Sequence, residues 1–112
     1  MMDKYREKIL FLRLIPDEIY SGLDFSEFAI PDETVNRLRT ELENTLNSYV
    51  MAYIYDKTKP HQTTKNQLCS IIRCAELSDR EKDILQNLEK AAKQSGVSFA
   101  VYAKPLEFFN LH

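Results

Sequence analysis

Residues 78–103 constrain this chain more than any other stretch. They read Ser78-Asp79-Arg80-Glu81, then an amphipathic run, then Gly96, then Val97-Ser98-Phe99-Ala100-Val101-Tyr102-Ala103. The first part predicts a helix with both ends written into the sequence. Ser78 and Glu81 have the spacing of a capping box, in which each side chain satisfies a backbone N–H near the helix start. Ile84, Leu85, Leu88, Ala91 and Ala92 recur at helical spacing as a buried stripe. Gly96 suits the left-handed position just beyond the last turn. The second part predicts a strand, which Pro105 closes. A strand cannot stand alone: its N–H and C=O groups need partners, and an isolated hairpin is marginal in water. Another segment of the chain, or another molecule, must lie beside it.

Two segments are candidates for that neighbour. Tyr49–Tyr55 reads Tyr-Val-Met-Ala-Tyr-Ile-Tyr, rich in β-branched and aromatic residues and apolar on both faces. It also continues the helical stripe of the segment before it, so helix competes with strand. Lys8–Ile15 is apolar at six of eight positions and is stopped by Pro16. A buried strand fits it, against a helix over Asp3–Leu14. Together with Val97–Ala103 these give three strands separated by helical stretches. The expected fold is a single α+β domain over 1–112, with a three-stranded sheet in the order β-αα-β-αα-β. Intervening segments of this length permit parallel crossovers. The alternative is a mostly helical bundle in which only 97–103 is extended.

The helices are marked by their own signals. Ile-Pro-Asp-Glu occurs at 15–18 and again at 30–33. Proline is tolerated at the first helical position, and acids in the first turn complement the helix dipole. The first copy opens a short helix, Pro16–Ser21, which Gly22 ends. The second opens a long one, whose stripe is Val35, Leu38, Leu42, Leu46 and Tyr49. A further helix is expected over Thr64–Glu76, burying Leu68, Ile71, Ile72 and Ala75.

Composition narrows function mostly by exclusion. Only Gly22 and Gly96 are glycines, whereas average usage would give roughly eight. Phosphate-cradling loops and dinucleotide fingerprints need clustered glycines, so nucleotide-cofactor enzymes of the common kinds are not expected. Apolar runs are far shorter than a membrane span, and charges at Asp3, Lys4, Arg6, Glu7 and Lys8 replace the apolar core of a signal peptide. A cytoplasmic protein is expected, without membrane contact. Cys69 and Cys74 on one helix would point about 140° apart. They read as small buried apolar residues, not as a disulfide or metal pair, and their spacing with His61 and His112 matches no structural zinc site. Neither metal nor cofactor is expected.

Charge is uneven, although the net charge is only −2. Leu14–Ser48 carries eight acids against two bases, and Lys57–Arg73 carries four bases and no acid. Within the second block, Lys57, Lys59 and Lys65 lie in a polar loop rich in hydroxyls just before a helix start, which makes them candidates for phosphate binding. The same residues read first as a solvated connection in which Thr63 or Thr64 caps the next helix. Leu77-Ser-Asp-Arg-Glu-Lys-Asp-Ile-Leu85 resembles the opening helix of LuxR-type helix-turn-helix domains and, more loosely, of sigma-factor region 4. That resemblance implies a recognition helix after a short turn; Gly96 and Val97–Ala103 depart from it, and no family follows.

The aromatic residues offer the better candidates for a site. Tyrosine and phenylalanine are enriched at protein interfaces. Phe25 and Phe28 lie in an acidic-aromatic segment between two helices, and Phe108 and Phe109 lie near the C-terminus. Each pair could dock on a partner or plug its own core. The expected function is therefore non-catalytic: a regulator, inhibitor or adaptor that binds another protein and forms a homodimer, using open sheet edges. Nucleic-acid binding through the basic loop 57–65 is the alternative.

Overall fold

The computed structural model describes residues 4–23, 25–29, 32–55 and 67–109. Its elements run α1 (Lys4–Lys8), a 3-10 helix (Leu10–Leu14), α2 (Asp17–Tyr20), a second 3-10 helix (Phe25–Glu27), α3 (Glu33–Leu46), β1 (Tyr49–Ile54), α4 (Gln67–Ile71), α5 (Asp79–Gln94) and β2 (Val97–Tyr102). The fold is mixed helix and sheet. Among the described residues the sheet has two antiparallel strands, not the three expected: β1 and β2, paired from Tyr49↔Tyr102 to Ile54↔Val97.

The α5–β2 unit follows its sequence signals. The Glu81 N–H donates to Ser78 Oγ at 3.2 Å, and the Ser78 N–H donates to Glu81 Oε1 at 3.0 Å. Gly96 follows the last turn with φ +80°. Added there, a Cβ would meet only the Tyr55 carbonyl oxygen, at 3.8 Å. Space therefore permits a side chain, and the left-handed backbone is what favours glycine. After the turn comes β2, so a strand stands where the helix-turn-helix resemblance implies a recognition helix.

α3 also starts as expected, with one difference. Its cap is Asp32, whose carboxylate accepts from the Val35 N–H at 2.8 Å. In the first Ile-Pro-Asp-Glu copy the cap is Pro16, and Asp17 is the first helical residue. The same tetrapeptide opens two helices one position apart. α3 ends at Leu46 with Asn47 left-handed (φ 49°), so Tyr49 leaves the helical stripe and begins β1. The strand reading of 49–55 is the one the structure takes.

Four expectations are corrected. Lys8–Ile15 is not a strand, but the end of α1 followed by a 3-10 helix. Ile9, Leu12 and Ile15 recur every three residues, the repeat of a 3-10 helix, and all three are buried. The strands are antiparallel, not parallel neighbours. The helix expected over Thr64–Glu76 is described only from Gln67 and ends at Ile71. Beyond it, Ile72 and Cys74 make isolated bridges to Phe108 and Tyr102. Cys74 therefore stands off the helix, and it is exposed rather than buried.

The sheet separates two cores. Directly opposed residues share a face in an antiparallel pair, so Met51, Tyr53 and Tyr102 face one way and Val50, Ala52, Val97, Phe99 and Val101 the other. The first face packs against Ile9, Leu12, Ile15, Tyr20, Phe28, Leu68 and Ile72. The second packs against α3 and α5 through Val35, Leu42, Leu46 and Ala92. Burial on both faces explains why each strand reads as an apolar run without polar alternation.

Candidate functional site

Among the described residues the one buried charge with a perturbed pKa belongs to Arg39. It sits on α3, buried at 3% exposure, and its guanidinium is fully engaged. It donates to Glu43 Oε2 at 2.9 Å, to Asn36 Oδ1 at 2.9 Å and to the Val50 carbonyl at 2.9 Å. Burial pushes its pKa down, and the adjacent Glu43 carboxylate opposes that shift. The same Glu43 accepts from the Val50 N–H at 3.0 Å. Arg39 and Glu43, one turn apart, thus present a donor and an acceptor to Val50, as a neighbouring strand would. This is a structural role with no group left over for chemistry.

The opposite edge is finished in the same manner. Glu89 on α5 accepts from the Phe99 N–H at 3.1 Å and pairs with Lys93 at 3.1 Å. The Ala75 N–H donates to the Val101 carbonyl, and the Ala103 N–H to the Arg73 carbonyl. On the β1 side the Ala29 N–H reaches the Ala52 carbonyl, beside a Phe28↔Tyr53 bridge. At Val50, Ala52, Phe99 and Val101 edge groups that were expected to need a second molecule are met by this chain's own groups.

Phe25 and Phe28 are placed in the first core. Tyr5 stacks on Phe25 with centroids 4.9 Å apart, and Phe28 meets both Phe25 and Tyr53 edge-on at 5.3 Å. Phe28 is 2% exposed. Beyond it the Tyr53 and Tyr102 hydroxyls share a buried hydrogen bond of 2.6 Å, and Phe11 lies between Tyr102 and Tyr49. Such contacts contribute roughly 0.5–1.5 kcal/mol per ring pair beyond burial, so this aromatic group is the glue of the N-terminal layer.

Phe108 and Phe109 are brought together but used differently. The tail after β2 turns back along residues 71–73: the Arg73 N–H donates to the Glu107 carbonyl and the Phe109 N–H to the Ile71 carbonyl, while Arg73 pairs with Glu107 at 3.0 Å. Phe108 packs into the first core. Phe109 points out and is 42% exposed. Among the described residues the other large apolar side chains left in solvent are Leu10 (60%), Leu14 (55%) and Ile54 (59%). Sequence reasoning passed over these three, because each lies in a segment read as buried strand.

Lys57, Lys59, His61 and Lys65 lie outside the described residues. A depression of about 510 Å3 on the outer side of α3 is lined by Glu33, Asn36, Arg37, Thr40, Glu41, Asn44 and Thr45; among the described residues all belong to one helix. No group of three His, Cys, Asp or Glu residues is placed to hold a metal among the described residues. No helix among them is long and apolar enough to cross a membrane. Comparison with known proteins finds no matching family model, curated protein or solved structure.

Proposed function

We propose that this protein acts by binding another protein, as a non-catalytic regulator, inhibitor or adaptor. The observation that carries this reading is Phe109. Its backbone is held to Ile71, its neighbour Phe108 packs half-buried against the core, and its own side chain is exposed over 42% of its surface. An aromatic ring on a fixed backbone loses little freedom on contact, and interfaces concentrate their energy in such anchors. Fully burying a phenylalanine side chain contributes about 1.5–3 kcal/mol.

The test is affinity capture with the full chain and with Phe109→Ser, read by quantitative mass spectrometry. A protein enriched with the native chain and depleted with the variant supports the reading. Capture that is equal for the two chains removes Phe109 from it.

A further inference from the structure

We draw no further inference here: the strongest candidate, the surface of the first 3-10 helix that bears the exposed Leu10 and Leu14, is an apolar face for which nothing in the structure shows what covers it.

Discussion

The two faces of the sheet are covered by unlike materials. On one face lie α3 and α5, of fourteen and sixteen residues, each opened by a side-chain cap and packing aliphatic residues onto the strands. On the other lie α1, the 3-10 helices, α2 and α4, none longer than five residues among the described residues. Helices that short are not stable alone, since nucleation costs more than a turn returns. That layer exists because Tyr5, Phe11, Tyr20, Phe25 and Phe28 interlock with Tyr53 and Tyr102. The aliphatic layer is built from units with local stability of their own, and the aromatic layer from contacts that must form together.

The largest expected effect tests this contrast on the aromatic side. Phe28→Ala should cost about 3–5 kcal/mol, the range for a large aromatic removed from a core. Amide exchange should rise first across residues 5–28, with α5 still protected. Uniform acceleration over the whole chain would show the two layers to be one cooperative unit.

Arg39→Ala is expected to cost about 3 kcal/mol, because it removes one partner of a buried ion pair and strips the Val50 carbonyl of its donor. Chemical denaturation measures it, and a cost below about 1 kcal/mol, the scale of a surface pair, would mean that the network contributes as one. Gly96→Ala should cost about 1–2 kcal/mol through its left-handed backbone alone, since a Cβ has room there. A larger loss in thermal melts would point to packing against Tyr55 instead.

The smallest effect is a pH dependence. Hydrogen bonds from Ser78, the backbone N–H first and the hydroxyl second, hold the Glu81 carboxyl below its ordinary range. A carboxyl depressed in the folded state leaves the unfolded chain binding more protons, so stability rises with pH in that window. The contribution is present above the unfolded-state value and is lost as pH falls through the folded one. Glu81→Gln should flatten the acid limb of a stability profile; an unchanged limb would show the capping carboxylate to be without effect on folding.

The same contrast explains which elements the residues disclose by themselves. Ser78, Glu81, Gly96 and the 3.6-residue stripes act locally, so α5, β2 and most of α3 are legible in the amino-acid sequence. Lys8–Ile15 is not, because a segment apolar nearly everywhere fits a period of two as well as three. Residues 28–29 and 72–75 flank the sheet through single bridges, too short to leave a pattern. Arg39 reads as an ordinary helical base, and only the placement of Val50 beside α3 turns it inward. Phe109 is legible as an aromatic near the end of the sequence. That Phe108 is the anchored member of the pair depends on how the tail crosses residues 71–73, which no local signal encodes.

Carboxylates seated at Val50 and Phe99 bear on how this chain behaves in a crowded solution. A twin-stranded apolar ribbon is the kind of template on which foreign strands accrete into fibrils. Any such newcomer would need to place its own carbonyl where Glu43 or Glu89 already stands, and to do so against a negative charge. The helices that hold the ribbon up therefore also occupy two of the places where a foreign strand would add.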